Sequence, residues 1–253
     1  MSNTRMPAWL EQIPPVTRNL LIINVLIWLV EFCSGRFGET LINTLGLHFW
    51  GADKFNPVQI LTYMFLHDNH TILHIAFNMF TLWMFGRILE RVWGSRRFIV
   101  FYFVCGIGAA LVQECVWQLT WHQEYIDGIA ALNGLTPEAM ADAVARNQSY
   151  FQSGLEGMKN ALVTVGASGA IFGLLLGFAF VFPDMPMYLF FIPVPIKAKY
   201  MVIGYGIMEF FLGVSGRQAS VAHFAHLGGL IFGLILLLYW RRKGTLRGNN
   251  FFY

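Results

Sequence analysis

Long uncharged runs of apolar residues alternate with short polar segments along the chain. Three of these runs are long enough to form much of a membrane-crossing helix, namely LLIINVLIWLV, FIVFYFVCGIGAALV and LIFGLILLLYW. The pattern predicts six helical spans, at about residues 19–34, 71–91, 97–118, 166–182, 198–214 and 221–240. Charged residues make up 12% of the chain, whereas a soluble domain carries about 25%. We therefore predict an all-α, polytopic membrane protein built on a bundle of six transmembrane helices.

The segment between predicted spans three and four is long and polar, covering about residues 119–160. Within it, TPEAMADAVA has the marks of a helix start, with Thr136 as cap, Pro137 at the first position and Glu138 in the first turn. We predict a small helical insertion outside the membrane. No internal repeat or low-complexity tract divides the sequence, so residues 1–253 are predicted to form a single membrane domain.

The distribution of basic residues predicts the orientation of the bundle. Six spans place both termini on one side of the membrane, and the positive-inside rule identifies that side. With cytoplasmic termini, all but five of the 17 basic residues face the cytoplasm, the exceptions being Arg36, Lys54, Arg146, Lys159 and Arg217. The apolar run from Leu20 lacks the cleavage site of a signal peptide. We expect a multi-pass protein of the bacterial plasma (inner) membrane with both termini in the cytoplasm.

Polar side chains interrupt the apolar runs at a common depth. Such groups are costly inside a membrane, so each is a functional candidate. Spans two, four and six run inward from the outer side, and near their outer ends they carry His74 and Asn78, Ser168, and His226. A helix from Ser168 to Phe182 is about 22 Å long, and the hydrocarbon core is about 30 Å thick. Ser168 is therefore predicted to lie below the outer surface, beside a water-filled cavity.

Small residues predict which helices meet. One face of span four carries Gly169, Gly173 and Gly177, and one face of span six carries His226, Gly229 and Gly233. Such stripes let helix backbones approach closely, although packing alone is their commonest role. Contact between them would bring His226 to the Ser168 hydroxyl, which becomes a nucleophile when a base takes its proton. No acidic residue stands on span six, so we predict a Ser168–His226 dyad and no triad, with Phe172 stacked on the imidazole.

The remaining polar groups are assigned supporting roles. The oxyanion of an acyl-transfer intermediate needs hydrogen-bond donors. His74 and Asn78 share a helix face and can supply them, together with the backbone N–H of Ser168 at a helix start. His223 lies one turn shallower than His226, so it is predicted to be a hydrogen-bonding neighbour of the base. Span five carries none of these polar groups and is predicted to be the gate for a substrate helix that arrives from the lipid.

Three segments together resemble one known family. GASGAIFG, HTILHIAFNMFTLWMFGRILE and AHFAHLGGLIFG are similar to the signatures of the rhomboid intramembrane serine proteases, in the order and on the spans expected for them. The resemblance implies Ser168 as nucleophile, His226 as general base, and His74 with Asn78 in the oxyanion hole. It also implies cleavage of single-span membrane proteins within the bilayer, without a cofactor or a metal. Two features depart from the common pattern: Phe172 stands where a tyrosine is familiar, and the insertion is unusually long.

Other classes of protein compete with this interpretation. His67, His70, His74, His223 and His226 could form a metal or haem site in a non-proteolytic membrane protein. A rhomboid-like chaperone without catalysis would lack the serine or the histidine, and this chain has both. A carrier or channel would show repeat halves or broken helices, and the sequence has neither. A net charge of +3 with scattered basic residues gives no reason to expect a nucleic acid partner.

Overall fold

The computed structural model describes residues 12–68, 71–189, 192–215 and 222–245. Most of these residues are helical. The longer helices are α1 (Pro15–Cys33), α2 (Arg36–Leu45), α4 (Ile72–Trp93), α5 (Ser95–Asn133), α6 (Pro137–Arg146), α7 (Gln148–Ala161), α8 (Ser168–Val181), α9 (Ala198–Ser215) and α10 (His223–Arg242). A short helix, α3 (Gln59–Thr62), continues into a 3-10 turn at Tyr63–Phe65, and α4 contains a π-helical segment at Leu82–Gly86.

Four of the described helices are long and apolar enough to cross a membrane, namely α1, α4, α5 and α10. Each covers one of the spans predicted from the sequence. Helix α8 is apolar but has only 14 residues, and α9 has 18 residues. The mainly helical membrane architecture is thus confirmed, while the count of six spans stays a prediction.

The third predicted span ends much later than the sequence pattern indicated. We predicted an end at residue 118, but α5 continues to Asn133 and has 39 residues. Such a helix is about 58 Å long, whereas about 20 residues suffice to cross a bilayer. The helix stops at Gly134, which adopts the left-handed conformation (φ 64°) that glycine permits without strain. The prediction was wrong because the end of an apolar run marks the membrane boundary and not the end of the helix.

The predicted insertion folds as a small helical unit with a core of its own. Helices α6 and α7 pack on the outer part of α5 around Ile126, Ala130, Met140, Val144 and Leu155. The predicted helix start is confirmed, since the Thr136 side chain accepts a hydrogen bond from the Ala139 N–H at 3.3 Å. The apolar residues of this segment that are buried pack against each other, and this burial stabilises the unit.

The centre of the bundle is formed by α5, α8 and α10, which approach closely through glycines. A Cβ built on Gly229 would lie 1.8 Å from the backbone oxygen of Gly169. A Cβ on Gly173 would lie 2.3 Å from Sγ of Cys105, and one on Gly233 would lie 3.5 Å from Cα of Gly173. The glycine faces of spans four and six therefore meet as predicted, with backbone almost against backbone.

Two short antiparallel sheets complete the described fold, and neither was predicted from the sequence. Strands β1 (Leu47–His48) and β2 (Val163–Thr164) pair with Leu47 opposite Thr164. Strands β3 (Pro186–Leu189) and β4 (Ile192–Lys197) form a hairpin between α8 and α9. The β1–β2 pair matters for the site because it fixes the extended backbone that leads to α8.

Candidate active site

Ser168 is the first residue of α8, as predicted. The backbone that leads to Ser168 is extended up to Gly166. The φ of Gly166 is 129°, a value that residues other than glycine rarely adopt. The N–H of Gly166 donates to the backbone oxygen of Tyr63 at 2.9 Å, which ties the approach to the 3-10 turn. At the start of α8 the backbone N–H of Ser168 has no intrahelical acceptor and is available to a ligand.

His226 lies on α10 and meets Ser168 directly. The Ser168 hydroxyl is 2.8 Å from Nε2 of His226, so it can donate its proton to that nitrogen. The imidazole is only 8% exposed. The Phe172 ring stacks on it with a centroid distance of 4.2 Å and an interplanar angle of 8°. The predicted serine–histidine contact and the predicted stacking are both present.

His74 lies next to Gly166, in the segment that leads to Ser168. Its Nδ1 accepts a hydrogen bond from the backbone N–H of Asp68 at 3.2 Å. In a neutral imidazole one ring nitrogen accepts and the other donates, so the proton is on Nε2. A Cβ built on Gly166 would lie 2.9 Å from this Nε2 and 3.6 Å from Oγ of Ser168. His74 Nε2 and Ser168 Oγ therefore border the same position at Gly166.

Asn78 is buried one helical turn after His74. Its Nδ2 donates to the backbone oxygen of His74 at 2.7 Å, so one of its two N–H groups is used within α4. The second N–H is the one that could serve an oxyanion. The hydrogen bond to the helix backbone fixes the amide orientation and thereby the direction of that second group.

Glu209 is the residue that the sequence analysis missed. We predicted that span five carries no polar group of the site, and this was wrong. Oε2 of Glu209, on α9, lies 2.6 Å from Nδ1 of His223 and 3.0 Å from Nδ1 of His226. A signal was present, because Glu209 is the one acidic residue within the run YMVIGYGIMEFFLG and ionisable groups inside membrane helices are costly.

Within the described residues, the histidines considered from the sequence for a metal or haem site are not gathered in one cluster. The rings of His67 and His74 are 5.3 Å apart, and His70 lies outside the described residues. Burial, with a smaller contribution from His74, lowers the pKa of His67 to about 3, so that ring stays uncharged. In the described part of the chain, one cluster of possible ligands lies within 4.8 Å, formed by Glu209, His223 and His226.

A cavity of about 870 Å³ lies next to His223, at the end of the bundle from which the insertion extends. Besides His223 and Phe224 of α10, three other parts of the fold form its walls. The outer part of α5 contributes polar side chains that include Gln123 and Asp127, the approach to α8 contributes Thr164, and α9 contributes its last residues from Leu212. The predicted insertion and the predicted gate thus both line one cavity next to His223.

The comparison with protein families decides the identity of the fold. The sequence profile of the Rhomboid domain matches residues 54–243, which include α3 to α10 and every candidate site residue. The chain belongs to the rhomboid family. This confirms the resemblance noted from the three sequence segments.

Similar proteins carry the same family name. The rhomboid is 28% identical over 180 residues to the rhomboid protease AarA of Providencia stuartii, covering 68% of this chain and 52% of that protein. It is 26% identical to the mitochondrial rhomboid protein 1 of Saccharomyces cerevisiae, covering 71% and 41%. It is 40% identical over 104 residues to the rhomboid protease GluP of Bacillus subtilis, covering 39% and 19%. The chain therefore spans at most about half the length of these relatives.

Proposed function

We propose that this rhomboid is an intramembrane serine endopeptidase that cleaves the transmembrane segments of single-span membrane proteins. The observation that carries the proposal is the 2.8 Å hydrogen bond between Ser168 Oγ and His226 Nε2 at the start of a short membrane helix. A hydroxyl donating to an imidazole is the arrangement that activates a serine nucleophile. The names of two relatives, both rhomboid proteases, agree with it.

In the proposed reaction the chain's own groups move one proton and stabilise one charge. His226 Nε2 takes the Ser168 proton while Oγ attacks the scissile carbonyl carbon, and the imidazolium later returns the proton to the leaving amine. The negative oxygen of the tetrahedral intermediate is met by the Ser168 N–H, by His74 Nε2–H and by the second N–H of Asn78. Water then hydrolyses the acyl-enzyme.

The depth of the serine supports a substrate within the bilayer. Helix α8 starts at Ser168 and spans about 21 Å, which is less than the hydrocarbon thickness of about 30 Å. If α8 ends at the inner interface, Ser168 lies roughly 9 Å below the outer one. The cavity beside His223 gives a route for water from the outer side.

The wider organisation of the molecule belongs to the same proposal. We place α8 and α9 as the two remaining membrane segments, giving six, with both termini in the cytoplasm of a bacterium. Arg241 and Arg242 in the last turn of α10 agree with this orientation, since basic residues favour the cytoplasmic side. The whole chain then forms one membrane domain, with α6, α7 and the last part of α5 on the side of the membrane opposite the cytoplasm.

The proposal is tested with purified protein reconstituted with a fluorescent single-span substrate. Ser168→Ala and His226→Ala should each abolish cleavage, and only proteins that keep Ser168 should be labelled by a fluorophosphonate. Matched controls are Ser153→Ala and His122→Ala, because both residues are exposed in the extramembrane part and should leave turnover unchanged. A Ser168→Ala protein that keeps a tenth of wild-type turnover would contradict the assignment. Cleavage by Ser168→Ala that depends on added metal would favour the alternative of a histidine metal site.

A further inference from the structure

Glu209 is an acidic residue placed deep in the bundle by a helix other than those of Ser168 and His226. It lies on the protein-facing side of α9, where Met201, Tyr205 and Glu209 recur every four residues. The side chain is 7% exposed. A carboxyl group at such a position is expensive unless it is hydrogen-bonded, so its partners indicate why it is there.

Its partners are the two histidines of α10, and both meet the same oxygen. Oε2 lies 2.6 Å from Nδ1 of His223 and 3.0 Å from Nδ1 of His226. Nδ1 of His223 meets this oxygen in a hydrogen bond, whereas Nδ1 of His226 lies at ion-pair distance without hydrogen-bond alignment. An ionised carboxylate presents only lone pairs, which would repel a lone pair on Nδ1 at these distances, so we infer that each Nδ1 carries a proton. In a neutral ring the remaining nitrogen of His226, Nε2, then holds the lone pair that faces Ser168.

This protonation pattern is the one that the proposed reaction requires. With the proton on Nε2, His226 could not take a proton from Ser168. The carboxylate also stands on the edge of the ring opposite the serine, so it stabilises the positive charge that appears on the imidazole during attack. Phe172 holds the face of the same ring, which leaves the imidazole fixed on its face and on both nitrogen edges.

We propose that Glu209 completes a Ser168–His226–Glu209 triad, as the positioning residue for the catalytic base. The inference rests on the proposed function and deepens it. During attack the Ser168 proton moves to Nε2 of His226, the Nδ1 proton stays between His226 and the carboxylate, and Glu209 itself takes up no proton. His223 is the second donor to the same carboxylate, and it helps to hold that carboxylate in place.

The triad draws its three members from three helices. Ser168 comes from α8, His226 from α10 and Glu209 from α9. Because α9 is the helix that we expect to move for substrate entry, the base is fully oriented only while α9 is docked against α10. A displaced α9 would leave His226 in contact with Ser168 but free to adopt the unproductive tautomer.

The kinetic test compares Glu209→Gln with wild type in the same reconstituted cleavage assay. We expect kcat to fall by about 100- to 10,000-fold because the orienting carboxylate is lost. KM should stay within about threefold, since the residue acts on the transition state and not on substrate binding. Glu114→Gln is the matched control, because Glu114 is equally buried in a membrane helix and accepts instead from the Trp50 N–H at 2.7 Å. A Glu209→Gln protein with near wild-type kcat would overturn the inference.

A second measurement needs no variant at position 209. Nitrogen-15 NMR of histidine-labelled protein reads the tautomer of each ring, and His226→Ala identifies the His226 signal by its loss. We expect a proton on Nδ1 of His226, lost or mixed in Glu209→Gln if that variant folds. A proton on Nε2 in the wild type would overturn the inference. If Ser168→Ala were still active, the proposed function would fail as a whole, whereas these two results alone would reject only the triad.

Discussion

Replacing Gly229 by alanine adds a single methyl group where it has the least room among the glycines that the structure describes. That Cβ would lie 1.8 Å from the backbone oxygen of Gly169, 2.8 Å from its carbonyl carbon and 3.4 Å from its Cα. The obstacle is backbone and not the end of a flexible side chain, so no rotamer change relieves it. The helices α8 and α10 must move apart.

The size of that movement follows from the contact distances. Carbon and oxygen atoms reach comfortable contact only at about 3.4 Å, so the two backbones must separate by roughly 1.5 Å. Ser168 immediately precedes Gly169, and His226 is one turn before Gly229. A comparable increase in the 2.8 Å distance between Oγ and Nε2 exceeds the limit of a hydrogen bond. We expect turnover to fall at least about 100-fold and stability to fall by about 1–3 kcal/mol, the usual cost of overpacking.

Two further glycines turn this into a graded series. A Cβ on Gly233 first meets Sγ of Cys105 at 3.2 Å, so Gly233→Ala requires only a small adjustment. A Cβ on Gly204, in α9, meets no atom within 4 Å and provides the control. Thermal unfolding and cleavage rates should rank the variants with Gly229→Ala most affected, Gly233→Ala intermediate and Gly204→Ala near wild type. Equal effects at all three positions would mean that helix propensity governs the result and that the packing argument is wrong.

Two predictions concern the neighbours of the dyad. Asn78→Ala and His74→Ala should each lower kcat by about 10- to 1,000-fold, the cost of one oxyanion donor, and a change confined to KM in the cleavage assay would assign these groups to substrate binding. His223→Ala should keep cleavage within about tenfold of wild type between pH 6 and 8, because His226 retains its contacts with Ser168 and Glu209; loss of all activity there would make His223 the base.

Local features of the sequence predicted much of the site. A serine between glycines at the start of an apolar run indicated the beginning of α8, and the glycine spacing indicated which faces of α8 and α10 meet. The depth argument separated His226 from His223, and the structure has His226 as the one that contacts Ser168. These features depend on the period of one helix at a time, which a sequence records directly.

The features that were missed depend on how separate elements are placed. The contact between Glu209 and His226 requires a particular rotation of α9 against α10, and the search for an orienting acid was limited to span six. The β1–β2 pair joins residues 47–48 with 163–164, and strands of two residues leave no periodic pattern. The extension of α5 was missed because polar residues continue a helix as readily as apolar ones do.

Helix α5 is continuous over 39 residues and can therefore transmit a movement from one of its ends to the other. At one end the helix is clamped in the glycine-packed centre, where a Cβ on Gly169 would lie 2.4 Å from Ala109. At the other end, α6 and α7 are fastened to it through their own core. The described helix has no hinge between these two attachments. We therefore expect a tilt of α6 and α7 to be transmitted along α5, as a rigid rotation, to the residues that contact α8.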